Sequence, residues 1–112
     1  MKDKKVNYLD YIPVKTEKIS SRSTEDGRTQ LIIDRNSILE RILRNIVYIP
    51  EKYYVDLDVL GSFVWNSVDD KRTIYEISQM VKTEFKDIAE PLYERIIKYF
   101  VILKNNKFIR LK

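Results

Sequence analysis

The chain has 112 residues, a net charge of +4, 44% hydrophobic and 34% charged residues, the balance of a single domain with a modest core rather than of a disordered chain. Cysteine and histidine are both absent, which removes disulfides, thiolate ligands, the commonest general base and the usual zinc ligand. Gly27 and Gly61 stand alone, so no glycine-rich phosphate loop exists, and no apolar run has the length of a signal peptide or a membrane span; the expectation is a cytoplasmic, non-enzymatic protein with no cofactor.

In chain order, residues 1–14 read as a polar N-terminal arm, and the domain is expected over 15–112. Lys15 to Ser21 (KTEKISS) predicts a weak strand, Thr24 to Gly27 (TEDG) a turn, and Arg28 to Asp34 (RTQLIID) a better strand, together a hairpin. Ser37 to Val47 carries Ile38, Leu39, Ile42, Leu43 and Ile46 at helical spacing, with Ser37 as cap and Glu40 three residues on. Pro50 ends that element.

Lys52 to Leu57 (KYYVDL) predicts a third strand, with Tyr53, Val55 and Leu57 on one face and Tyr54 and Asp56 on the other. Asp58 is placed to cap a helix whose apolar stripe is Leu60, Phe63, Val64 and Val68, widened by Trp65. Gly61 inside that helix points to close backbone packing, because glycine there costs about 1 kcal/mol relative to alanine. Asp56, Asp58 and Gly61 also sit at the first, third and sixth places of a calcium-loop pattern, but Leu60 fills the fifth and Ser67 the twelfth, where carboxylates or amides are needed, so calcium binding is rejected.

Asp69 to Arg72 is a polar turn, and Thr73 to Glu76 (TIYE) is a capping box opening a second helix with Ile74, Ile77, Val81 and Phe85 buried. Lys86 and Asp87 break the pattern; Asp87 or Glu90 then caps a third helix that runs to about Leu103, with Pro91 in its first turn. Asn105 and Asn106 suit a turn, and Lys107 to Leu111 a short closing strand. The fold class is α+β: winged helix-turn-helix-like, with N-terminal strands followed by a three-helix bundle and a short C-terminal strand.

Leu57-Asp58-Val59-Leu60-Gly61-Ser62-Phe63-Val64-Trp65, followed by Asp69-Asp70-Lys71-Arg72-Thr73-Ile74-Tyr75-Glu76-Ile77, resembles the PqqD family, over roughly Lys15 to Lys112 and most strongly from Tyr53. The chain departs from the family pattern at Asp69-Asp70, where Asp-Gly is usual, at Asn105-Asn106, where a glycine is common, and in the length of the Arg35 to Pro50 segment. The resemblance implies a peptide chaperone, or precursor-peptide recognition element, that binds the leader of a ribosomally made peptide and presents it to a modifying enzyme, often a radical SAM enzyme. It further implies that the leader adds as a strand beside the third strand and lies against the third helix. The peptide-binding residues expected on that basis are Tyr53, Tyr54, Val55 and Asp56 of the strand and Tyr93, Ile96, Ile97 and Phe100 of the helix.

The third helix adds a reading of its own. Ile88, Leu92, Ile96, Phe100 and Leu103 already make a core face, and Tyr93, Ile97 and Val101 extend the apolar arc beyond what one contact needs. On these residues alone the N-terminal arm, the Ile38 to Ile46 segment or a second copy of the chain in a homodimer is the expected cover; the resemblance puts a peptide ahead of them. A winged-helix DNA-binding regulator is the rival from another class, but Asp87, Glu90 and Glu94 open the would-be recognition helix where basic or amide readers are needed. The basic run Lys104, Lys107, Arg110 and Lys112 reads as a solvated tail.

Overall fold

The computed structural model describes residues 7–17, 19–34 and 52–112. Among them the architecture is α+β: strands first, then three helices, then a short closing strand. The sequence expectation of a helix at Ser37 to Val47, and of its end at Pro50, lies outside the described residues.

β2 (Ile19–Ser23) and β3 (Thr29–Asp34) form the expected antiparallel hairpin. Its turn closes through Thr24 N donating to Arg28 O (2.7 Å) and Gly27 N donating to Thr24 O (3.0 Å), with Gly27 at φ 85°, a conformation open to glycine at little steric cost. β4 (Lys52–Asp56) pairs antiparallel along the other side of β3, giving the order β2-β3-β4. Period-two alternation sorts the side chains: fully buried Leu31 and partly buried Val55 face the helices, while Tyr54 and Asp56 face outward. On that outer face Arg22 Nε donates to Gln30 Oε1 (2.8 Å) and Gln30 Nε2 to Asp56 Oδ1 (2.7 Å), a polar bridge across all three strands.

Two expectations are corrected here. The strand expected over Lys15 to Ser21 is two strands, β1 (Pro13–Lys15) and β2, and the closing strand β5 is Ile109–Leu111. β1 and β5 pair antiparallel in a sheet of their own, Val14 opposite Arg110, continued by reciprocal bonds between Ile12 and Lys112. Residues 7–14 are therefore built into the domain rather than forming a separate arm. Tyr8–Asp10 make a 3-10 turn capped by the Asn7 side chain, Tyr8 and Leu9 pack on the core, and Tyr11 O accepts from Ile74 N (2.9 Å).

α1 (Val59–Ser67) starts at Asp58, whose Oδ1 accepts from Gly61 N at 2.7 Å. Ser62 ties α1 to the sheet, its hydroxyl accepting from Thr29 N (2.8 Å) and donating to Leu57 O (3.3 Å). Asp69 then accepts from the N–H groups of Lys71 and Arg72, and these bonds, Arg72's the stronger, hold its carboxyl below the usual range. The Thr73–Glu76 capping box is present at the start of α2 (Ile74–Phe85). Val64, Trp65, Ile74, Ile77, Val81, Leu92, Ile96, Phe100, Leu103 and Ile109 close over Leu31 as one core.

The third helix begins later than the sequence predicts. Lys86–Ala89 form a 3-10 turn, Pro91 takes the N-cap place of α3 (Leu92–Asn105), and Glu90 serves it only by accepting from Leu92 N (3.1 Å). Ile88, expected on the core face, lies in that turn instead and is 79% exposed. At the other end Phe108 N donates to Leu103 O and Lys107 N to Lys104 O, both 3.0 Å, a Schellman closure in which Lys107 stands at φ 68°.

Candidate functional site

An antiparallel strand turns alternate residues' backbone groups toward its neighbour and the others away from it. Leu57 N donates to Thr29 O at 2.9 Å, which with the β3–β4 register makes Val55 and Tyr53 the residues bonded to β3. The N–H and C=O groups of Tyr54 and Asp56 therefore point to the opposite edge, where no strand pairs with β4 among the described residues. Tyr54 is 53% exposed, with the Arg22 guanidinium 5.5 Å from its ring centre.

From the C-terminal end of β4 the chain turns through Asp58 into α1, and the first turn of α1 meets α3. The contact is made by Tyr99, whose hydroxyl donates to Gly61 O at 2.8 Å. Burial pushes the Tyr99 phenol well above its ordinary pKa, and the Asp58 carboxylate adds to the rise. Arg95 and Ile102, at i−4 and i+3 from Tyr99, share this flank of the helix. Arg95 is held by a 2.8 Å bond to Ile88 O, and Ile102 is 49% exposed.

Beside them lies an open apolar hollow of about 410 Å³ lined by Val59, Leu60, Phe85, Ile88, Ala89 and Arg95, with Asp58 at its rim. Asp58, Leu60 and Arg95 also line a smaller neighbouring cavity of about 140 Å³ that reaches Gly61 and Tyr99. Val59 and Ile88 are the most exposed large apolar residues among those described. The arrangement offers backbone partners, an apolar anchor and one cation, the means of holding an extended chain.

The residues expected from sequence do not all converge here. Tyr54, Val55 and Asp56 lie on β4, as does the backbone of Tyr53. Ile96 and Phe100 are 1% and 0% exposed, so they belong to the core and present no surface. Tyr93 and Ile97 occupy the opposite flank of α3: Tyr93 stacks on Tyr75 of α2 (ring centres 6.5 Å apart) and accepts from Gln79 Nε2 at 2.7 Å. A helical wheel shows that α3 has two half-apolar flanks but not which of them packs on α1; Gly61 was the sequence signal, since the Tyr99 ring set against it marks the flank. Arg95, Tyr99, Ile102, Val59 and Ile88 were thus missed.

No helix among the described residues is long and apolar enough to cross a membrane. The model of one protein family, described as coenzyme PQQ synthesis protein D (PqqD), matches residues 44–109, a span that contains β4, all three helices and the first residue of β5. No curated protein and no solved structure matches the chain.

Proposed function

The chain belongs to the PqqD family, whose members are non-catalytic recognition proteins for ribosomally made precursor peptides, and we propose that it captures the leader of such a peptide by strand addition at the outer edge of β4 and presents it to a modifying enzyme of the radical SAM class. The observation that carries this reading is the outward backbone of Tyr54 and Asp56 on an edge of β4 that no described strand covers. Two residues aimed at an open edge supply up to four main-chain bonds, which give affinity without regard to sequence. Selectivity then comes from the hollow at Val59, Leu60 and Ile88, sized for an apolar side chain of the leader, and from Arg95, placed for a carboxylate beside it.

The exposed carboxylates of Asp87, Glu90 and Glu94 flank the start of α3 and oppose the approach of a phosphate backbone, which disfavours the DNA-binding alternative. The test is a titration of the 15N-labelled protein with synthetic leader peptides of ribosomally made precursors. The amides of Tyr54 and Asp56 should shift and become protected from exchange. If those two amides stay unchanged while the peptide binds, strand addition at β4 is wrong.

A further inference from the structure

The charges of this chain are segregated along the sequence. All seventeen acidic residues precede position 95, and the last eighteen residues hold six basic ones and no acid. The fold gathers Lys104, Lys107 and Arg110 around a cleft of about 650 Å³ between the end of α3, β5 and the 3-10 turn near the N-terminus, where Tyr8 and Tyr11 complete the lining. All three cations are exposed.

β5 contributes Ile109, Arg110 and Leu111 to this cleft, and it has an open edge of its own. The reciprocal bonds between Ile12 and Lys112 set the register, so Arg110 bonds to Val14 while the N–H and C=O groups of Ile109 and Leu111 turn away from β1. No described residue pairs with them. The cleft takes a different side of α3 from the flank of Arg95: nine residues separate Lys104 from Arg95, which leaves the two half a helical turn apart around the axis.

We propose that this cleft docks an extended acidic segment of the modifying enzyme, which adds as a strand beside β5 and sets its carboxylates against Lys104, Lys107 and Arg110. The inference rests on the leader-presenting reading, because a protein that hands over a peptide needs a second surface that the peptide leaves free. Three features select an acidic polypeptide, which on the leader-presenting reading belongs to the enzyme. The open edge selects a polypeptide, the cations select an acidic one, and the tyrosine walls leave a slot for a chain rather than a convex basic surface for a duplex.

The probe is an acetylated and amidated ten-residue peptide of alternating Glu and Val, titrated against the 15N-labelled full chain, with the Ser-Val peptide and a twelve-base-pair DNA duplex as controls. The amides of Ile109 and Leu111 should shift and gain exchange protection with the Glu-Val peptide alone, and those of Tyr54 and Asp56 should not move. Lys104→Glu with Arg110→Glu should weaken this binding at least ten-fold and leave the remaining spectrum in place. Equal binding of the Ser-Val peptide, stronger binding of the duplex at the same amides, or no shift at Ile109 and Leu111 would each overturn the proposal. Leader capture is read separately at Tyr54 and Asp56, so a failure of the docking cleft is distinguished from a failure of the leader-presenting reading.

Discussion

The Tyr99 hydroxyl donates to the carbonyl oxygen of Gly61 across 2.8 Å, and the Tyr99 ring stands where a side chain at position 61 would go, 3.3 Å from the place of its Cβ. The pair fixes α3 against the first turn of α1. Tyr99→Phe should remove about 1 kcal/mol, seen at neutral pH as a melting point roughly 5 °C lower. The pH dependence has a definite sign. The folded state keeps the phenol neutral to a pH above its unfolded value, so this stabilisation is complete below about pH 10 and is lost as pH rises past it. Thermal melts at pH 7 and pH 11 should show the wild type losing more stability than Tyr99→Phe; equal losses would refute the burial of this hydroxyl.

Trp65 is 1% exposed, and its indole N–H has no partner among the described residues, while the Lys15 ammonium lies 4.8 Å from the ring centre. Burial lowers the Lys15 pKa, against the opposing pull of the Asp70 carboxylate. Trp65→Ala should cost about 3 to 5 kcal/mol. Trp65→Phe should cost clearly less, since it keeps much of the volume and removes an unsatisfied donor. Urea unfolding of the two variants, followed by circular dichroism, checks the order.

Tyr54→Pro deletes an N–H that points away from β3, so the β3–β4 ladder should survive while strand addition loses a bond and meets a proline ring. Leader affinity should fall at least ten-fold in Tyr54→Pro and little in Tyr54→Ala. Calorimetric titration decides it, and similar affinities for the two variants would move the peptide off this edge.

The two flanks of α3 give opposite expectations. A carboxylate at Ile102, on the flank of Arg95 and Tyr99, should block an apolar peptide, because the charge would be buried without a partner. Ile97→Asp, on the flank facing α2, should leave affinity within a factor of three. The reverse result would restore the Tyr93 and Ile97 surface that the sequence pointed to.

Lys107 closes α3 at φ 68°, where a Cβ is crowded by its own carbonyl. Lys107→Gly should raise stability by about 0.5 to 1 kcal/mol, measurable as a higher urea midpoint with an unchanged slope.

Local chemistry was legible in the sequence wherever it is complete within a few residues. Asp58 as a cap, the Thr73–Glu76 box, the Gly27 turn and the alternation along β4 all depend on neighbours two to four positions away. The pairing of Pro13–Lys15 with Ile109–Leu111 was not legible, because three-residue strands carry no period and their partner is far along the chain. The start of α3 was misplaced for a related reason: Asp87 and Glu90 each offer a carboxylate near the helix start, but the 3-10 turn at Lys86–Ala89 carries the chain past both and leaves Pro91 at the N-cap place. The site was half visible. β4 announced itself by composition, whereas the matching flank of α3 is defined by a contact with Gly61 thirty-eight positions away.

The bonds between Ile12 and Lys112 also impose an order of events on folding. The hairpin and the helix caps close loops of a few residues, but joining β1 to β5 closes one of about a hundred, with an entropic cost that grows as the logarithm of that length. The core helices, which already hold Ile109 near its final place, shorten the effective search, so β1 should lock late and open early. Amide exchange at Val14 and Arg110 would then report partial unfolding events that leave the β4 edge intact.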